Sequence, residues 1–361
     1  MSRRSLLRTL LQVIAFLAGV AALVWAVRKA LSPDNQQMLS RLRDADASHL
    51  VLLGALSLGT VLINGLLFQI SLRPVRRLRV PDVLSVNAIS TLLALAPFKV
   101  SLIFRVLFHN RRDKVPVLTI GAWMGAFAAV MGAVLTPMLA VGAWRGRADA
   151  LWFALVVGGI LLIAGSMLAV ARLLSHETSW ARFTLLVHRL PMPGAIARLL
   201  EKPDGVLARV HEGVRMLASP RSVVLGVLLR IFDTLIHAAR FYIAAKVLNF
   251  PLSPEQALLA GSVFFLIGAL APAGQVGVRE GGTPALLKLV LPGIDLKAFV
   301  VVVMLVSVIE IMVVLLCAGV GIAYLRPDRL FKLRKAPASS PVPDHPTEPR
   351  PEPRPDPAPG A

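Results

Sequence analysis

The sequence predicts an all-α polytopic membrane protein, with six full spans plus two re-entrant helical hairpins arranged as an inverted repeat. Three observations carry that expectation. Of 361 residues, 56% are hydrophobic and only 16% are charged, against roughly a quarter charged in a soluble domain. The apolar residues lie in blocks of about 20 or more, the length that crosses a hydrocarbon core of ~30 Å. Two of those blocks are broken by proline, glycine and charge in matching places, around Pro97 and around Pro272.

Mean hydropathy is +0.71 and the formal net charge is +19. In a soluble chain that charge would suggest nucleic acid. Here Lys and Arg stand between apolar blocks, where they act as topology signals and meet anionic headgroups, so nucleic acid is excluded as a partner. The single cysteine, Cys317, lies inside an apolar block. It allows no intramolecular disulfide and no cysteine-only metal site. No H-E-x-x-H, P-loop or G-x-S-x-G pattern occurs, and no cofactor, metal or catalytic residue is expected.

Residues 10–27 follow Arg3, Arg4 and Arg8 and exceed the core of a signal peptide, so they read as an uncleaved first span. Residues 50–72 form the second span and end at Arg73, Arg76, Arg77 and Arg79. The block 83–108 carries Asn87, Pro97, Lys99 and Arg105 and is followed by Arg111, Arg112 and Lys114. Residues 115–143 and 150–173 read as clean spans. The interior polar region 174–220 holds Val206, Val210, Val214 and Leu217 at helical spacing, which predicts an amphipathic helix on the membrane surface. Residues 223–248 and 298–325 are further spans. The tail 326–361 is basic, then Pro-rich, and is expected to be disordered.

Counting every apolar block as a crossing strands two basic clusters outside, against the positive-inside rule. If blocks 83–108 and 258–291 enter and return, the amino terminus, both clusters, the 174–220 region and the tail all fall in the cytoplasm. Repeat one (about 8–143) and repeat two (about 150–325) then share the order span, span, hairpin, span, with opposite starting sides. Ala94-Leu95-Ala96-Pro97 recurs as Ala269-Leu270-Ala271-Pro272, and Arg105 and Arg279 follow at similar distances. Broken helices in matching halves point to a transporter-type site at the midplane. Free N–H groups and helix dipoles at the hairpin tips suit an anionic group.

Several polar residues within these blocks are candidates for substrate binding or translocation, because intramembrane ionisable groups are functional candidates by default. Arg230, Asp233, His237 and Arg240 recur every three or four residues and share one helix face. They read either as a structural ion-pair ladder or as a stripe in which Arg230 and Arg240 meet phosphate and Asp233 orients His237. Pro97, Lys99 and Arg105 mark the first hairpin; Pro272, Gly274, Gly277, Arg279 and Glu280 mark the second. Arg279 and Glu280 read either as a pair at the hairpin neck or as groups with a gating or proton-coupling role for Glu280. Glu310, alone in its span, is expected to pair with an arginine of the stripe or the second hairpin. His109, His176, His188 and His211 lie near loops and are expected at the surface.

These residues resemble the transmembrane domain of lysylphosphatidylglycerol synthases and its stand-alone flippase-like relatives, over roughly residues 10–325. The second-hairpin pattern Pro-x-Gly-Gly-x-Gly-Val-x-Glu is matched by Pro272, Gly274, Gly277, Val278 and Glu280, with Gln275 at the second glycine. The first-hairpin pattern is matched by Pro97, Lys99 and Arg105, but Ser101 and Leu102 stand where Gly-Glu is expected. The resemblance implies a non-enzymatic protein of the bacterial inner membrane that moves an anionic lipid or lipid-linked amphiphile between leaflets. Two alternatives are an intramembrane headgroup transferase or hydrolase, and a scaffold for a lipid-synthesis enzyme partner (hopanoid or aminoacyl-lipid). A homo-oligomer is left open.

Overall fold

The computed structural model describes residues 17, 20, 21, 23–96, 99–146, 149–189, 206–271, 274–290 and 293–326. The predicted first span therefore lies largely outside the described residues. Residues 23–30 are helical (α1), with Ala26 and Ala30 buried. Pro97, Pro272 and the tail beyond Arg326 also lie outside the described residues.

Five helices are long and apolar enough to cross a membrane, at the predicted places. Four of them have a local reason to start where they do. The short α2 (Gln36–Arg41) leads to α3 (Ala47–Leu72), where Asp46 accepts the Ser48 N–H. In α7 (Ala150–Ser175), Asp149 accepts from Trp152 N–H. Ser219 caps α10 (Pro220–Val247), whose first residue is a proline, and Asp295 caps α13 (Leu296–Leu325). Such caps satisfy N–H groups that a helix leaves unpaired in its first turn. The fifth long helix, α6 (Val117–Arg145), stops at Gly146, whose φ of 61° ends it in the left-handed region.

The two broken blocks are helix pairs: α4 (Val80–Leu93) with α5 (Val100–Arg111), and α11 (Pro254–Leu270) with α12 (Val278–Val290). Helix α11 begins with a full capping box between Ser253 and Gln256. Long helices α3 and α10 run antiparallel, because Asn64 meets Asp233 while a Cβ on Gly59 would lie 3.4 Å from Ile236 Cδ1. The pair that follows α3 and the pair that follows α10 therefore start from opposite ends of the bundle. Their turns meet inside it: Gln275 N–H donates to the Ala94 carbonyl at 3.1 Å. Gly274, at φ 113°, sits so close to the other turn that a Cβ would lie 3.0 Å from the Ala96 oxygen. Only glycine allows both that conformation and that approach.

After α8 (Glu177–Arg189), helix α9 (Val206–Leu217) forms within the predicted amphipathic region. It packs on α6, with Met216 buried and Gly213 close against Ala122. The Thr119 hydroxyl donates to Glu212 at 2.5 Å, and Val210 of the predicted apolar face is exposed. His109 is corrected: it is fully buried, 2.6 Å from Asp113, with its ring against Trp123.

Candidate functional site

The polar residues of the apolar helices converge halfway along their length. Asn64 in α3, Asp233 and His237 in α10, and Glu310 in α13 each stand near the centre of a long helix. Around them lies a cavity of about 320 Å³. Arg105 of α5, Arg279 of α12, His237 and Glu310 line it, with Asn64, Asn87, Ser101 and Gln275. One wall is soft and apolar, from Met124, Phe127 and Met131 of α6.

An ion-pair chain runs behind the cavity. Arg230 Nη1 donates to Asp233 Oδ2 at 2.6 Å, and the Asn64 amide reaches both carboxylate oxygens at 3.4 Å. Arg240 Nη2 donates to Glu310 Oε2 at 2.6 Å. From the other hairpin, Arg279 Nη1 donates to Glu310 Oε1 at 2.7 Å. Glu310 thus joins the stripe to the second hairpin, meeting both of its expected kinds of partner. Arg230 and Arg240 are 1% and 0% exposed and do not line the cavity. They hold the walls.

Two expected contacts are replaced by others. Arg279 pairs with Glu310 rather than with Glu280, whose Oε2 accepts the Gly277 N–H at 2.6 Å. The start of α12 is therefore occupied by the protein's own carboxylate, a favourable place for it at a helix N-terminus. Asp233 is 3.9 Å from His237 Nε2, beyond hydrogen-bond range. His237 is instead contacted through Nδ1 by Arg240 Nη1 at 3.3 Å. A guanidinium can only donate, so Nδ1 accepts and the ring proton sits on Nε2. Among the described residues, that Nε2 has no hydrogen-bond partner.

Arg105 differs from the other buried arginines. It is 6% exposed, its Nη2 donates to Asn87 Oδ1 at 3.0 Å, and among the described residues its Nη1 has no partner. The guanidinium lies 3.7 Å from the centre of the Phe68 ring, which is itself stacked on Phe127. Arg230 over Phe265 and Arg279 over Phe264 repeat that support at 3.6 and 4.4 Å. Among the described residues, Arg105 has no carboxylate partner. The local reason is readable: Leu102, one turn before it, stands where the resembled pattern has Glu. Lys99, exposed at φ 51°, caps the start of α5.

Sequence reasoning missed Asn64, Phe68, Phe264 and Phe265. Asn64 had a signal, an amide inside an apolar span. The phenylalanines had none, because only the folded chain brings each under a guanidinium.

Charged groups buried at the centre of apolar helices, around a shared cavity, define the class: a multi-pass membrane protein with a polar site inside its helix bundle. The chain belongs to the family of the lysylphosphatidylglycerol synthase TM region, which it matches over residues 12–318. It is accordingly a membrane protein related to lipid handling. No curated protein and no solved structure matches it. Among the described residues, no group of three or more His, Cys, Asp and Glu could hold a metal ion.

Proposed function

We propose that this protein carries the headgroup of an anionic lipid across the bacterial inner membrane through the cavity between the two hairpins. The observation that carries the reading is Arg105, a buried guanidinium facing the cavity with a free Nη1 and no carboxylate. A charge at the bilayer centre costs ~2.5–3.5 kcal/mol on insertion scales unless something compensates it. A phosphate oxygen is the missing partner. Arg279 Nη2 and His237 Nε2 are further unpartnered donors on residues that line the same cavity. Ser101 and Leu102 bring the start of α5 to it, and that end of a helix favours an anion.

The topology that fits this role has six crossings and two re-entrant hairpins entering from opposite leaflets, with both termini cytoplasmic. Antiparallel α3 and α10 and the meeting of the two turns support that inverted repeat. The headgroup would sit at the meeting point while acyl chains stay in lipid, and no covalent chemistry is involved. Binding tests the reading. Arg105→Gln is expected to weaken phosphatidylglycerol binding to the purified protein by about tenfold to a hundredfold, as loss of a charge-assisted hydrogen bond does. Binding of diacylglycerol, which has no phosphate, should stay unchanged. Equal affinity of both proteins for phosphatidylglycerol would remove Arg105 as the headgroup contact.

A further inference from the structure

Arg105 shares its cavity with a hydroxyl as unsatisfied as its own Nη1. Ser90 of α4 is 3% exposed and lines the same cavity. Among the described residues its Oγ has no hydrogen-bond partner. A serine or threonine inside a helix commonly bonds back to a carbonyl one turn earlier. Ser57 and Thr91 do so, each at 2.8 Å, to the carbonyls of Leu53 and Asn87. Ser90 does not, which leaves a buried donor and acceptor at the cavity wall. Buried polar atoms are normally satisfied, so this one calls for a partner from outside the chain.

The helix register places that partner. Asn87, Ser90 and Ala94 follow at intervals of three and four residues and share one face of the α4 end. Asn87 Oδ1 holds Arg105 at 3.0 Å, and the Ala94 carbonyl accepts the Gln275 N–H from the other turn. Ser90 therefore stands between the Arg105 anchor and the meeting point of the two turns. Three residues of helix rise about 4.5 Å, the scale that separates a phosphate from a hydroxyl within one small headgroup. The cavity of about 320 Å³ equals roughly ten waters at ~30 Å³ each, room for a phosphate with a short polyol.

The charges around the cavity decide what else fits. Arg105 and Arg279 line it, and Glu310 is the only carboxylate among the described residues that do. Both Glu310 oxygens are already taken, by Arg240 at 2.6 Å and by Arg279 at 2.7 Å. A phosphate would satisfy Arg105, but an ammonium on the same headgroup would meet guanidiniums and no available anion. We propose that the cavity selects a phosphodiester lipid whose headgroup ends in uncharged hydroxyls, read by Ser90, and rejects headgroups that carry an amine, aminoacylated ones included. An unpaired charge is an effective means of rejection, because its desolvation is not repaid. The inference rests on the phosphate reading of Arg105 and adds the class of headgroup attached to that phosphate.

The test is equilibrium binding of four lipids with matched acyl chains to the purified full chain. They are phosphatidylglycerol, phosphatidylpropanol (the same charge without the hydroxyls), phosphatidylethanolamine and lysylphosphatidylglycerol. The unaltered protein is expected to bind phosphatidylglycerol about tenfold more tightly than phosphatidylpropanol, the effect of one hydrogen bond. Either amine-bearing lipid should bind about tenfold or more weakly than phosphatidylglycerol. Ser90→Ala, which breaks no hydrogen bond among the described residues, should bring phosphatidylglycerol down to the phosphatidylpropanol level. Arg105→Gln should weaken both anionic lipids alike. Equal affinity of the unaltered protein for phosphatidylglycerol and phosphatidylpropanol, or for phosphatidylglycerol and an amine-bearing lipid, would overturn the proposal. So would an unchanged phosphatidylglycerol affinity in Ser90→Ala, or a loss shared equally by phosphatidylpropanol. If Arg105→Gln still weakens binding in those cases, the phosphate reading stands without the hydroxyl reading; if it does not, both fall.

Discussion

Replacing Glu310 by alanine is expected to destabilise the protein by about 3–5 kcal/mol, the cost of removing one partner from a buried ion pair. Glu310 holds two guanidiniums at once, Arg240 at 2.6 Å and Arg279 at 2.7 Å. Without it two buried positive charges face each other with no anion between them. Glu310→Gln keeps an acceptor oxygen and should lose less. Denaturant titration of the purified protein in detergent reads the difference. A loss below about 1 kcal/mol, the range of exposed pairs, would mean water screens the pair and the site is wetter than its burial implies.

The second large effect lies at Gly261. A Cβ there would stand 2.7 Å from the His237 carbonyl carbon and 2.8 Å from the Ala238 nitrogen. Both are main-chain atoms of α10, so no side chain can swing aside and the two helices must separate. Overpacking of this kind costs about 1–3 kcal/mol, and the displacement also moves His237 away from the cavity. Gly261→Ala is therefore expected to lower stability and lipid binding together. Gly121→Ala is the control, since nothing lies within 4 Å of its Cβ position. There the change should be neutral or stabilising, as alanine is the better helix former. Equal behaviour of the two variants would contradict the close packing.

Much of the framework was legible in the sequence because bilayer thickness and charge placement constrain it strongly. The five long helices fall where apolar blocks of sufficient length predict them. The break at Pro97 and its echo at Pro272 mark two helix pairs in the sequence, and the structure ends α4 at Leu93 and α11 at Leu270. The pairing of Glu310 with arginine followed from the cost of a lone intramembrane carboxylate.

Other features depend on directions that spacing cannot supply. The intervals between Arg230, Asp233, His237 and Arg240 put them on one face, but not on one function. His237 faces the cavity while Arg230 and Arg240 are consumed by carboxylates. Neutralising Arg230 and Arg240 together would leave Asp233 without its arginine and Glu310 with Arg279 alone, and so damage the fold. It is a poor probe of substrate binding. Gln275 shows the opposite case: its contact to Ala94 is made by the backbone N–H, which a glycine would also supply. The buried His109 escaped notice because its partner Asp113 and its cover Trp123 come from the turn and helix beyond it.

The central claim is that an anionic headgroup passes through the cavity beside Arg105. It is tested most directly by reconstituting the unaltered protein and Arg105→Gln into vesicles, with phosphatidylglycerol labelled in one leaflet. The rate at which label reaches the other leaflet is then followed. The account predicts rapid exchange of labelled phosphatidylglycerol with the unaltered protein and loss of that rate in Arg105→Gln. Equal phosphatidylglycerol rates in the two proteins would contradict it.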